Sequence, residues 1–276
     1  MTKERLTVAT DWDGTFTDPE KMEVTYSEIV VSYLAKKLGM KEWELSFLMQ
    51  RARELVVINP AKYGWIIDGR TVAYPTDHYL MVMATALKAV KMANEAVTPE
   101  VIAELSNDIF TSCAPRLTTI YKAEAGEVLH GLLNSVDLVV VTNSSTGKVE
   151  GEVKQLLGCR ANEVVVKGGA KKMVIDPEFM KDKLPIDFKG MYGFPRLAHL
   201  RRPFYFKLLT EIFGDISKAR VMGDNGQLDL LIADYAGGKT GLVTSALAMD
   251  WEKEYWSTGQ NRKAGSLKEV AEWIVE

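Results

Sequence analysis

The chain has little cysteine: Cys113 and Cys159 are its only two in 276 residues, far apart and without metal-ligand spacing. This pattern gives neither a disulfide framework nor a zinc site, and both thiols are expected to be small buried hydrophobes. Positive charge is not in excess either, with 34 Lys and Arg against 37 Asp and Glu. The composition therefore lends no support to nucleic-acid or membrane-surface partners, and a small anionic substrate would need locally placed cations. Long apolar runs are missing too, since none approaches the ~20 residues of a membrane-spanning helix. Met1-Thr2-Lys3-Glu4-Arg5 enters a short strand without the apolar core of a signal peptide, so the cytoplasm is the expected compartment. Repeats and low-complexity stretches are absent. What is present is a soluble globular composition, 47% hydrophobic, enough to build one large domain or two smaller ones.

Two textures divide the chain. After a first apolar strand, about a hundred residues carry apolar side chains at three and four spacing, which predicts helices over Thr25 to Leu38, Lys41 to Val57, His78 to Ala96 and Pro99 to Ser112. Thr98-Pro99-Glu100 reads as a helix start and Gly39 as a stop. Between the second and third helices, Asn59 to Asp77 is rich in aromatic and polar residues, including Tyr63, Trp65, Asp68, Arg70 and Tyr74. From Glu124 onward strands alternate with helices, a βαβ rhythm that implies a parallel sheet covered on both faces. The fold class is α/β, with residues 1–20 and 122–276 forming the sheet domain and 21–121 a helical insertion after its first strand. Lys167 to Leu200 is irregular and has no assigned structure.

Chemistry gathers at strand ends. Leu6-Thr7-Val8-Ala9-Thr10 runs into Asp11-Trp12-Asp13-Gly14-Thr15, and alternation sends both carboxylates toward the same side. Two such acids repel unless a cation or a shared proton relieves them, although this segment alone fits a helix cap and turn as well. Val139-Val140-Val141 ends in Thr142, and Arg220-Val221-Met222 ends in Gly223-Asp224-Asn225-Gly226-Gln227-Leu228-Asp229. In a parallel sheet these ends open onto one crevice. Asp11 and Asp224 carboxylates, with a backbone carbonyl and waters, form the hard oxygen set that magnesium prefers. Asp11 could then attack phosphorus, Asp13 could transfer protons, and Thr142 with the amides of the next helix could hold phosphate oxygens.

In this order along the chain, DWDGT, VVVTNSS and GDNGQLD resemble the motifs of the haloacid dehalogenase (HAD) superfamily of phosphohydrolases. The resemblance implies a Rossmann-like parallel sheet core with a mainly α-helical cap domain inserted after the first strand. It implies Asp11 as nucleophile and Asp13 as acid/base, with Asp11, Asp13 (through its backbone carbonyl) and Asp224 holding Mg2+. Thr142 and Asn143 would bind phosphate, with Asp229 supporting. The family's motif lysine is not in its usual place: Arg202 stands there, before Pro203, and Lys207 lies a turn further on, so either is a candidate for the phosphate-binding cation. The implied activity is Mg-dependent hydrolysis of a small phosphorylated metabolite. The alternatives are a phosphomutase and a non-catalytic or regulatory member. Tyr63, Arg70, Tyr74 and His78 are the cap residues that could touch substrate.

Overall fold

The computed structural model describes residues 5–67, 70–188 and 198–276; the side chains of residues 60, 61, 65–67, 70, 71 and 187 are not among those described. Its strands are β1 (Leu6–Thr10), β2 (Trp65–Ile67), β3 (Arg70–Ala73), β4 (Val136–Val141), β5 (Val165–Lys167), β6 (Asp187–Phe188), β7 (Ala198–His199), β8 (Arg220–Gly223), β9 (Lys239–Val243) and β10 (Arg262–Gly265). Its α-helices are α1 (Pro19–Leu38), α2 (Glu42–Ile58), α3 (Pro60–Tyr63), α4 (His78–Ala93), α5 (Pro99–Asp108) and α6 (Ala125–Ser135). They continue with α7 (Thr146–Leu157), α8 (Pro203–Phe213), α9 (Leu231–Tyr235), α10 (Asp250–Trp256) and α11 (Leu267–Val275). None of the described helices is long and apolar enough to cross a membrane.

Contacts divide the chain into two units. The first comprises Met1–Asp18, Ile66–Ala73 and Tyr121–Glu276; the second comprises Pro19–Trp65 and Tyr74–Ile120. The first is built on a six-stranded sheet of order β10-β9-β8-β1-β4-β5, with every pair of neighbouring strands parallel. Period-2 alternation buries both faces. Val8, Leu138 and Val140 join one core with α6, α7 and α11, while Ala9, Val139 and Val141 join another with α8 and α9. Sequence order reverses beside β1, which lies between β4 and β8, and this switch point is where open α/β sheets bind ligands. Where the chain leaves and re-enters this unit, Thr17 bridges Tyr121, and the Lys122 N–H donates to the Phe16 carbonyl at 3.0 Å.

The second unit is helical. Tyr26, Val30 and Leu34 of α1 pack with Leu45, Met49 and Ala52 of α2, Val82, Met83 and Ala86 of α4 and Leu105 of α5. The expected helices are all found here, although α1 begins earlier, at Pro19, because proline is well suited to a first turn.

Three expectations change. Ile66–Ala73, expected inside the helical insertion, falls with the sheet unit because β3 pairs with β7. A four-stranded sheet of order β2-β3-β7-β6 occupies parts of the two stretches without periodicity; strands of two to four residues are too short to show one. Cys113 is buried as expected, but Cys159 is exposed, because it follows the Gly158 stop of α7 in a short surface turn of 3-10 type.

Candidate active site

The end of β1 and the end of β8 place three acids together. The Asp11 N–H continues the ladder by donating to the Met222 carbonyl at 2.9 Å. Asp224 follows β8, and Asp229 returns from the helical turn Gly226–Leu230. Carboxylate oxygens of Asp11, Asp224 and Asp229 lie within 4.8 Å of one another, and all three residues are buried. Asn225 organises the turn: its side-chain oxygen accepts from Leu228 N–H at 3.1 Å, and its own N–H donates to Asp229 Oδ2 at 3.0 Å. Gly14, at φ +81°, lets the chain pass this cluster, since a Cβ there would stand 1.9 Å from Asp224 Oδ2.

One ammonium lies inside the cluster. Lys172 Nζ donates to Asp11 Oδ1 at 2.6 Å and to Asp229 Oδ1 at 2.7 Å, with its side chain 2% exposed. The ammonium also lies over the Tyr205 ring, 5.5 Å from its centre, and the Tyr205 hydroxyl donates to the Asp229 carbonyl at 2.6 Å. Burial pushes the Asp11 carboxyl up to about 8; Lys172 opposes this, and the charges of Asp229 and Asp13 add to it. Burial also disfavours the Lys172 ammonium, yet Asp11 and Asp229 outweigh that effect and hold its pKa above the ordinary lysine value. Three carboxylates against one ammonium leave net negative charge in a dry site, which a hard cation would relieve. Asp229 has both oxygens engaged, by Lys172 and by Asn225 N–H, so Asp11 and Asp224 are the carboxylates best suited to hold one.

Asp13 sits differently. Its carboxylate accepts from Ser144 Oγ at 2.7 Å, from Lys148 Nζ at 2.9 Å and from Thr142 Oγ1 at 3.4 Å. Lys148, in the first turn of α7, is 3.6 Å from Glu152 one turn later, and Glu152 in turn accepts from the indole N–H of buried Trp12 at 2.6 Å. The Asp13 side chain is thus turned to the end of β4 and the start of α7. Thr142 Oγ1 accepts from Ser144 N–H at 3.1 Å.

No protein-family model and no curated protein matches the chain. Solved structures do match. A Bacillus subtilis protein, YfnB, assigned to the HAD-hydrolases and bound to magnesium, aligns at 12% identity over 99% of both chains with a TM-score of 0.51. A Haemophilus somnus protein predicted to be a phosphoglycolate phosphatase aligns at 16% identity over 99% of both chains, TM-score 0.53. A HAD-like family hydrolase of Streptococcus pneumoniae aligns at 14% identity over 99% of this chain and all of that one, TM-score 0.53. The chain has the haloacid dehalogenase superfamily fold.

On this HAD fold the two cations expected at the start of α8 do not reach Asp11. Lys207 is exposed and faces Glu211 at 3.9 Å on its own helix, because it lies two residues from each of Tyr205 and Leu209, the buried side of α8, and so points away from it. Arg202 is fully buried, but its guanidinium donates to three backbone carbonyls, those of His199, Lys172 and Val72. The cation on Asp11 is Lys172, in the irregular stretch after β5. Asn143, expected at phosphate, uses its side-chain oxygen to accept from Lys172 N–H at 2.8 Å.

Ser144, Lys148 and Lys172 were absent from the sequence-based set. The sequence signal for Lys172 is weak, because β5 (Val165–Lys167) is only three residues long and Gly168 to Lys171 separate its end from Lys172. In the helical unit, Tyr74 and His78 are buried, the His78 ring stacks on Tyr79 at 4.1 Å, and Tyr63 is half-buried beneath Lys62 and Lys88. Asp68 lies outside the described residues, as do the side chains of Trp65 and Arg70.

Proposed function

We propose that the protein is a magnesium-dependent phosphatase that hydrolyses a small phosphomonoester through an aspartyl-phosphate intermediate. The observation that carries the reading is the buried Asp11 carboxylate, held by Lys172 and grouped with Asp224 at the sheet's switch point. The all-oxygen donor set fits a hard cation, held by Asp11, Asp224 and the Asp13 carbonyl; when bound, Mg2+ offsets the repulsion between these acids and a phosphate.

Asp11 attacks phosphorus, and Lys172 keeps its carboxylate fixed and offsets charge as the bond forms. Asp13 donates a proton to the departing oxygen and takes one from the water that releases phosphate. Thr142 and the first N–H groups of α7 hold phosphate oxygens; Ser145, the N-cap, makes no side-chain hydrogen bond to that turn. We assign selection of the small metabolite to the helical insertion. Nothing in this scheme calls on nucleic acid or a membrane, and we place the reaction in the cytoplasm.

Purified protein with Mg2+ should release inorganic phosphate from an aryl phosphate, stop when the metal is chelated, and lose turnover in the Asp11→Asn variant. Transfer of the group between positions of a sugar phosphate without free phosphate would favour a mutase. Undiminished activity of Asp11→Asn would overturn the reading.

A further inference from the structure

Lys172 is presented by a turn that its own sequence does not favour. Lys171, just before it, adopts φ +50°, a left-handed conformation costly for a residue with a Cβ, and persisting only where the surroundings impose it. The surroundings do so at both ends of the next residue. The Lys172 N–H donates to Asn143 Oδ1 at 2.8 Å, and the Lys172 carbonyl accepts from Arg202 Nη1 at 2.7 Å. Arg202 uses its other edges on the His199 carbonyl, through Nε at 3.1 Å, and on the Val72 carbonyl in β3, through Nη2 at 2.6 Å.

A guanidinium buried this deeply against neutral carbonyls is expensive. Burial draws its pKa down to about 10, and the charges of Asp229 and Tyr205 only partly restore it. Its three-way fork is the feature an ammonium could not reproduce, because a lysine offers one point charge and Arg202 reaches three separate chain segments.

We infer that Arg202 is a positioning residue that acts through Lys172: it clamps the strained turn between β7 and β3 and so keeps the ammonium between Asp11 and Asp229. The inference rests on the phosphatase reading for its kinetic consequence and on the geometry alone for its structural one.

A double-mutant cycle tests this on an aryl phosphate with Mg2+, below the melting temperature of each variant. Arg202→Ala should lower kcat by about 10- to 100-fold, the scale of a misplaced site group. Guanidinium ion should restore part of that loss, and Arg202→Lys should not. In a Lys172→Met background, Arg202→Ala should cost less than about twofold more; full additivity would mark an independent role and overturn the proposal. Hydrogen exchange across Gly168 to Val174 needs no substrate and should be faster in Arg202→Ala, or in Arg202→Lys if the alanine variant does not fold. Unchanged exchange overturns the clamp whatever the activity. Faster exchange in a wild-type protein inert toward phosphate esters supports the clamp and contradicts only the phosphatase reading.

Discussion

Asp11 and Asp13 stand two residues apart at the end of one strand, yet they are held in two different regions of the site. Asp11 is buried against Lys172, whose side chain is 2% exposed and sits on a strained turn with Asp229 as a second partner. Asp13 is held by Ser144 and by Lys148, whose side chain is 33% exposed and sits on a regular helix. The first region is crowded, dry and fixed by residues distant in sequence. The second is wetter and built mostly from one short stretch, Thr142 to Glu152, with Trp12 behind it. A nucleophile benefits from fixed direction and lost hydration, whereas a proton shuttle needs access to a leaving group and to water. The two surroundings suit those two roles.

Activity gives the widest separation. Asp11→Asn is expected to lower kcat by about 10^4-fold or more for every phosphate ester, because no other group can form the intermediate. Asp13→Asn is expected to cost about 10^2- to 10^4-fold with an alkyl phosphate and much less with a nitrophenyl phosphate, whose leaving oxygen needs little protonation. Equal losses across both variants and both esters would break the division of roles.

Stability separates the two lysines next. Lys172→Met strands two buried carboxylates and should cost about 3 to 5 kcal/mol in urea unfolding. Lys148→Met removes a partly exposed ion pair and should cost about 1 kcal/mol or less. A reversed order would show that the helix side, and not the strained turn, anchors the site.

These two regions also differ in how far the sequence discloses them. Asp11, Asp13, Thr142 and Asp224 lie at or just after the ends of apolar runs, so strand position betrays them, and the α/β order followed from the same runs, whereas the place of β1 between β4 and β8 did not. Lys172 ends no periodic pattern: it is reached through the Gly168 to Lys171 turn, in a segment whose strands are two residues long. Arg202 misled for a related reason, since its place before Pro203 matches a family position while its side chain turns to carbonyls that only the folded chain supplies. Lys148 lies inside a correctly expected helix, but periodicity reports which residues are buried and not which cation meets which acid.

The two regions separate in pH dependence as well. The Asp11 carboxyl, ordinarily near 3.8, titrates at about 8 in the folded protein, so the folded state binds the extra proton between those values. Its contribution is therefore full below pH 4 and is lost as pH rises toward 8. Asparagine does not titrate, so in metal-free buffer the melting temperature of Asp11→Asn relative to wild type should climb steadily from pH 4 to 8. A flat difference would mean that Lys172 fully compensates Asp11, making this region as tolerant as its neighbour.

The central claim, that Asp11 carries the phosphoryl group, is tested most directly by trapping it. Enzyme quenched during turnover of an aryl phosphate with Mg2+ and then reduced with borohydride should yield homoserine at position 11, found by peptide mass spectrometry and missing from Asp11→Asn. Rapid release of inorganic phosphate with an unmodified Asp11 under the same quench would contradict the account.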